Sequence, residues 1–154
     1  MSAFDVVTVH RLLLITVLAG LVGFERERHG RAAGLRTHIL VGLGSCLIML
    51  TAIYLMEALS GRVEIDPTRM AAQVISGIGF LGAGTILRFR ASVRGLTTAA
   101  SLWAVAGIGL AVGAGFLAGA LAGTGIILLA LFGLSRLEWW LRTKTKSEGD
   151  HEEG

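Results

Sequence analysis

The sequence predicts an all-α membrane protein of about five transmembrane helices, with the N-terminus outside and the C-terminus in the cytoplasm. Of the 154 residues, 53% are hydrophobic and only 16% are charged, and the mean hydropathy is +0.70. An average soluble domain carries about 25% charged residues. The charges also cluster in short blocks between apolar runs of bilayer length. This pattern excludes an ordinary soluble domain and a disordered chain.

The first apolar run covers residues 12–24. No basic cluster precedes it, and the charged segment 25–28 follows where a signal peptide would need small residues for cleavage. We therefore predict a retained first span, with Arg11 reaching toward the interface near one end. The second run covers residues 39–59 and is interrupted only by Glu57.

The third run, residues 70–87, is about 27 Å long as a helix and just crosses a hydrocarbon core of roughly 30 Å. The last stretch, residues 97–137, has no charge except Arg136 and is about twice the length of one span. We predict a tight turn at 113–117 that divides it into spans 97–112 and 118–137. Trp139 and Trp140 then belong to an interfacial aromatic belt.

The distribution of Lys and Arg predicts the orientation. With five spans, the segments on one side hold eleven of the chain's 14 basic residues, and the positive-inside rule places that side in the cytoplasm. A four-span arrangement puts the basic tail opposite the other basic loops. We predict a membrane domain over residues 1–142 and a short disordered cytoplasmic tail over 143–154. The pI near 9.8 is then explained by these loops, and no nucleic-acid partner is expected.

The glycines of the third span match the dinucleotide fingerprint GxGxxG at residues 77–82. The fingerprint needs a strand before it and a helix after it, whereas here it lies inside an apolar run, so we expect close helix packing instead. The same interpretation covers two sets with small-xxx-small spacing. One set is Gly109 and Gly113, and the other is Gly115, Gly119 and Gly123. For both sets we favour packing within the chain, and an oligomer interface stays open.

Polar side chains near the span ends allow two interpretations. Gln73 and Ser76 lie one turn apart on the third span, and Thr97, Thr98 and Ser101 begin the fourth. Hydrogen bonds between helices are the favoured role, and a polar pocket is the alternative.

Glu25 and Glu27 lie beside arginines at the end of the first span, where an ion pair is favoured, and Glu25 is spaced to pair with Arg28. The alternative is a site that faces a cation or a phosphate. Carboxylates could hold Mg²⁺ loosely, either there or at the outer residues Glu57, Glu64 and Asp66. We expect no other cofactor. No P-loop and no recognisable nucleophile–base pair occurs, so we expect no enzymatic activity.

Three segments closely resemble the MgtC/SapB family of bacterial membrane proteins. They are GFER and GLRT at residues 23–26 and 34–37, RMAAQVISGIGFLGAG at 69–84, and VRGLTTAASLW at 93–103. The candidate functional residues taken from these segments are Glu25, Arg26, Arg36, Thr37, Arg69, Gln73, Ser76, Gly77, Gly79, Gly82, Gly84, Arg94, Gly95, Thr97, Thr98 and Trp103.

The resemblance implies a multi-pass protein of the bacterial inner membrane, linked to survival at low magnesium and, in pathogenic relatives, to virulence. It implies a non-enzymatic regulator that contacts other membrane proteins, including the ATP synthase; a homo-oligomer and a small channel or transporter for Mg²⁺ or another cation stay open. Many relatives carry a C-terminal soluble domain with an ACT-like fold. This sequence stops after the spans, so the role of that domain is left open here.

Overall fold

In this computed structural model, the described residues form five helices and one short hairpin. The structure describes residues 3–62, 64–89 and 92–149, with side chains described over 5–62, 64–88 and 92–133. The elements in chain order are α1 (Ala3–Arg28), α2 (Leu35–Ala58), α3 (Pro67–Gly84), β1 (Leu87–Phe89), β2 (Ser92–Arg94), α4 (Leu96–Ala114) and α5 (Leu117–Gly149).

Three of these helices are long and apolar enough to cross a membrane: Asp5–Arg28, Leu35–Ala58 and Leu96–Ala114. α3 has 18 residues but begins with polar and charged side chains, including Arg69 and Gln73, which lower its hydropathy. In α5 the apolar part with described side chains, Leu117–Gly133, is a shorter apolar helix. The prediction of an all-helical membrane protein is therefore confirmed, apart from the hairpin.

The core lies between α1, α2 and α4. Ile15 and Val22 of α1, Cys46 of α2, and Val105 and Val112 of α4 are all fully buried. α2 packs most extensively against α4 and α1, while α3 contacts α2 and α4, and α5 contacts α4 and α1. α4 is thus the central helix that every other helix contacts.

Large apolar side chains cover the outside of the bundle. Leu13 of α1, Leu40 of α2, Phe80 of α3 and Leu129 of α5 are 62%, 68%, 83% and 74% exposed. A soluble protein rarely exposes large contiguous apolar patches. Such an outer surface on long apolar helices is what contact with lipid tails requires.

Small residues bring α2 and α4 into close contact. A Cβ atom on Gly109 would lie 2.5 Å from Gly42 O, and one on Gly113 would lie 2.7 Å from Cys46 O. These are backbone atoms that cannot move aside cheaply, so both positions require glycine. The prediction that Gly109 and Gly113 pack within the chain is confirmed.

The other predicted packing glycines behave differently. Among the described residues, nothing lies within 4 Å of a Cβ placed on Gly77, Gly79, Gly84 or Gly123, and Gly82 makes only ordinary contact with Ala99. The expectation of close packing within this chain is therefore wrong for Gly77, Gly79, Gly84 and Gly123, whereas Gly82 is buried against α4. α3 packs against only part of the bundle, which leaves most of its glycines on an open face.

The turn between α4 and α5 confirms the predicted division at 113–117. α4 ends at Ala114, and Gly115 takes a left-handed conformation with φ 84°. Arg11 of α1 caps this end, because its Nη1 donates to Gly113 O at 2.8 Å, one of the carbonyls that a helix C-terminus leaves unpaired. Arg11 thus binds the backbone of α4. The prediction placed its side chain toward the membrane interface and did not include this contact.

The third span differs from its prediction, because α3 ends at Gly84 and Leu87 pairs with Arg94 in the hairpin. Gly95, which follows the hairpin, has φ 90°, and a Cβ on this residue would overlap Thr85 O. α5 runs to Gly149 without a break at residue 142, and the domain division and disordered tail stay predictions. Trp139 and Trp140 lie outside the residues whose side chains are described.

Candidate functional site

A buried polar cluster lies where α1, α2 and α4 meet at one end of the bundle. We define this cluster as Glu25 and Arg26 of α1, His38 of α2, and Thr98 and Ser101 of α4, each at most 4% exposed. Burying charged and polar groups costs free energy unless they find partners, so their arrangement is specific.

The first part of the cluster is an ion pair within α1. Arg26 Nε donates to Glu25 Oε2, and both side chains are buried. His29 Nδ1 lies 3.2 Å from Glu25 Oε1 but is directed at Glu25 O, 2.9 Å away, so Oε1 itself has no hydrogen-bond partner. The predicted pairing of Glu25 with Arg28 is wrong: Arg28 is exposed, and the neighbouring residue takes its place.

The second part of the cluster joins α2 to α4. His38 Nδ1 lies 2.9 Å from Gly34 O, so this nitrogen carries a proton, because a carbonyl can only accept. His38 Nε2 lies 3.0 Å from Ser101 Oγ, and Ser101 Oγ lies 2.9 Å from Thr98 O. Ser101 Oγ donates its proton to Thr98 O and lies within hydrogen-bond distance of His38 Nε2, so one hydroxyl connects the imidazole of α2 to the backbone of α4.

The remaining carboxylates near the helix ends also have structural partners. Glu27 Oε2 accepts from Leu35 N at 2.7 Å, which satisfies one of the unpaired donors at the start of α2. Asp66 Oδ1 accepts from Thr68 N at 2.8 Å and caps α3. Within the described residues, no three His, Cys, Asp or Glu side chains are grouped to hold a metal ion. The arginine beside Glu25 also opposes cation binding there.

A groove of about 960 Å³ separates α2 from α3 on another side of the bundle. Its walls are mainly apolar, with Leu40 and Ile48 on α2 and Val74 and Leu81 on α3. Three polar side chains among the predicted site residues line it: Arg69, Gln73 and Thr37. Two glycines, Gly44 and Gly77, leave room for a neighbouring helix to approach closely, because no described atom lies within 4 Å of a Cβ placed on either.

The structure divides the predicted site residues into separate groups. Glu25 and Arg26 pair with each other in the buried polar cluster, and Thr98 O accepts from Ser101 in the same cluster. Gly82 is buried against α4. The remaining predicted residues do not meet there. Arg69, Gln73, Gly77 and Thr37 line the groove; Arg94, Gly95 and Thr97 line a second cavity at the start of α4; Arg36, Ser76, Gly79, Gly84 and Trp103 are exposed elsewhere.

Sequence reasoning did not place His38 and Arg31 in a site. His38 stands at the first turn of an apolar run, where a titratable side chain is costly to bury, and this position is the signal that marks it. Arg31 stands in a basic segment without a spacing that distinguishes it from its neighbours. Its placement near the start of α4 follows only from the fold.

Residues 12–140 of the chain match the model of the MgtC family. The "Putative magnesium transporter YhiD" of Escherichia coli K12 is 43% identical over 136 residues, which cover 87% of this chain and 63% of that protein. "Protein MgtC" of Salmonella typhimurium LT2 is 47% identical over 119 residues, covering 77% of this chain and 48% of that protein.

The chain thus spans about half to two thirds of the length of these curated relatives. No solved structure shows a significant match to the chain. The family match covers most of the chain, including the buried polar cluster, the groove and the hairpin. On this evidence, the chain belongs to the MgtC family.

Proposed function

We propose that the chain is a five-span protein of the bacterial inner membrane, with the buried polar cluster at the cytoplasmic ends of the helices. The basic segments support this orientation, because Arg28, Arg31, Arg36, Arg88 and Arg94 are exposed near that end. α3 is about 27 Å long and α5 is longer, so each is long enough to form a span of its own. With the three more apolar helices, this gives five spans.

The function we propose is non-enzymatic support of growth at low magnesium, exerted through contacts with other membrane proteins. The groove between α2 and α3 carries this proposal. In lipid, helices associate by close packing of small residues, and Gly44 and Gly77 expose such a surface without a partner among the described residues. Phe80, 83% exposed on the same helix, offers a large side chain to a partner. The ATP synthase, suggested by the family resemblance, is one candidate partner.

The test compares two glycines that both face open space. Gly77→Leu fills the groove, whereas Gly123→Leu adds the same volume to α5. We expect Gly77→Leu to abolish growth support in low-magnesium medium and the crosslink between α3 and its partner. Gly123→Leu should preserve both, with equal amounts of folded protein in the membrane. If the two variants grow alike and crosslink alike, the groove is not the functional surface.

A cation channel or transporter is the second candidate function. Its support is the polar lining of the same groove by Arg69, Gln73 and Ser45, together with the name of the relative from Escherichia coli. Purified protein in liposomes tests it directly. A transporter is supported if the protein gives Mg²⁺ flux above that of empty vesicles and Gly77→Leu blocks this flux. The regulator is supported if the protein contacts a partner but gives no flux.

A further inference from the structure

A second cavity, of about 460 Å³, lies at the start of α4, beside the hairpin. Seven of the described residues line it, and none of these seven is acidic: Arg31, Val93, Arg94, Gly95, Leu96, Thr97 and Thr98. Arg31 comes from the loop after α1, and Arg94 ends β2, so two distant segments bring their arginines to one cavity.

The backbone of α4 presents unpaired donors to this cavity. Its first hydrogen bond runs from Ala99 N to Gly95 O at 2.9 Å, so the N–H groups of Leu96, Thr97 and Thr98 have no acceptor within the helix. Gly95 has no side chain to cap them. A helix N-terminus with free N–H groups carries a partial positive charge and favours anions.

The side chain of Thr98 gives an independent indication of a ligand. Thr98 is only 4% exposed and lines the cavity. Its carbonyl accepts from Ser101, but its hydroxyl forms no hydrogen bond with the part of the chain that the structure describes. The buried side-chain atoms without a partner among the described residues are Thr8 Oγ1 and Glu25 Oε1, so the Thr98 hydroxyl is not sealed off and is available to a ligand in the cavity.

The backbone of Gly95 fixes this arrangement. With φ 90° it turns the chain from β2 into α4, and a Cβ at this position would overlap Thr85 O, so no side chain fits. The arginine before it and the threonines after it are thereby held around one cavity. The donor set consists of two guanidinium groups, three backbone N–H groups and a hydroxyl, which matches the several acceptor oxygens of a tetrahedral oxyanion.

We propose that this cavity binds a phosphate group, carried either by inorganic phosphate or by the headgroup of an anionic membrane lipid. Arginine forks bind phosphate oxygens with two parallel hydrogen bonds, which favours phosphate over a spherical anion such as chloride. The position at the end of α4, a helix long and apolar enough to cross the membrane, is compatible with both sources. The proposal depends on the cavity alone and stands whether the protein is a regulator or a transporter.

The test uses the full chain, purified, with two probes. Inorganic phosphate is titrated into protein in detergent by calorimetry, and retention of phosphatidylglycerol is compared by native mass spectrometry with that of a galactolipid that lacks phosphate. The variants are Arg31→Gln, Arg94→Gln and Thr98→Val. Thr98→Val keeps the shape of the side chain and removes only the hydroxyl. Arg36→Gln is the matched control, because Arg36 is exposed near the same end but does not line the cavity.

We expect each cavity variant to weaken binding about tenfold or more, while Arg36→Gln leaves it within twofold. If the unmodified protein binds inorganic phosphate and the cavity variants lose this binding, the free anion is the ligand. Selective loss of phosphatidylglycerol, without binding of inorganic phosphate, identifies the lipid headgroup. The proposal is overturned if the unmodified protein binds neither probe. It is also overturned if the three cavity variants and Arg36→Gln bind the probes equally. Unfolding temperatures of the variants separate lost binding from lost structure.

Discussion

His38 Nε2 lies 3.0 Å from Ser101 Oγ, and this contact joins α2 to α4 through two buried side chains. The same two helices pack through glycines farther along their length, at Gly42 and Gly109. α2 and α4 are therefore held by a polar contact at one end and by backbone proximity toward their middle. This pair of helices provides the frame on which the other three helices pack.

Removing the polar contact should weaken the pairing of these two helices. Hydrogen bonds between transmembrane helices contribute about 0.6–2 kcal/mol. We expect a double-mutant cycle with His38→Leu and Ser101→Ala to give a coupling energy of this size in unfolding experiments in detergent. His10→Leu, at an exposed histidine of α1, provides the control. A coupling energy near zero would show that the two side chains do not interact.

Enlarging Gly109 should separate α2 from α4. A Cβ there would lie 2.5 Å from a backbone oxygen, so Gly109→Leu forces the helices apart. Overpacking typically costs about 1–3 kcal/mol, and a backbone clash places this variant at the upper end or beyond. The measurement is the unfolding temperature in detergent. Gly123→Leu, which meets open space, should leave it unchanged; an equal loss in both variants contradicts the packing described here.

Breaking the buried ion pair should cost more than removing it. Glu25→Leu leaves the Arg26 guanidinium buried without its partner, which typically costs about 3–5 kcal/mol. We expect Glu25→Leu combined with Arg26→Leu to recover a large part of that loss, because no unpaired charge remains. Arg28→Gln, at an exposed position, serves as the reference. Equal destabilisation by the single and the double variant would show that the pair is not coupled.

The start of α3 should respond to acid. Thr68 Oγ1 and Thr68 N donate to Asp66 Oδ1 at 2.6 and 2.8 Å, which lowers the pKa of Asp66 below its usual value. Because the folded-state pKa is lowered, the stabilisation by this cap is present above the unfolded pKa and is lost as pH falls through the folded value. Thr68→Val, which keeps the backbone donor, should raise the pKa of Asp66. NMR titration of the carboxyl carbon measures both values, and an unchanged pKa in Thr68→Val contradicts this assignment.

The sequence was sufficient to predict the helices and the α4–α5 turn, because span length and hydropathy are local properties. It did not predict the end of α3, since Ile86 and Leu87 continue the apolar run after the helix has ended. The partner of Glu25 was missed because adjacent helix residues usually point apart. The cavity at α4 depends on Arg31 and Arg94, whose proximity only the folded chain determines.

The proposed topology requires the two ends of the bundle to face opposite sides of the membrane. Cysteines introduced by Ala32→Cys, Ser60→Cys and Val93→Cys stand at exposed positions between helices, while Cys46 is buried. In intact cells, a membrane-impermeant maleimide should label Ser60→Cys alone, and the other two should react only after the membrane is opened. Labelling of Ala32→Cys and Val93→Cys from opposite sides would contradict the proposed crossing of α3.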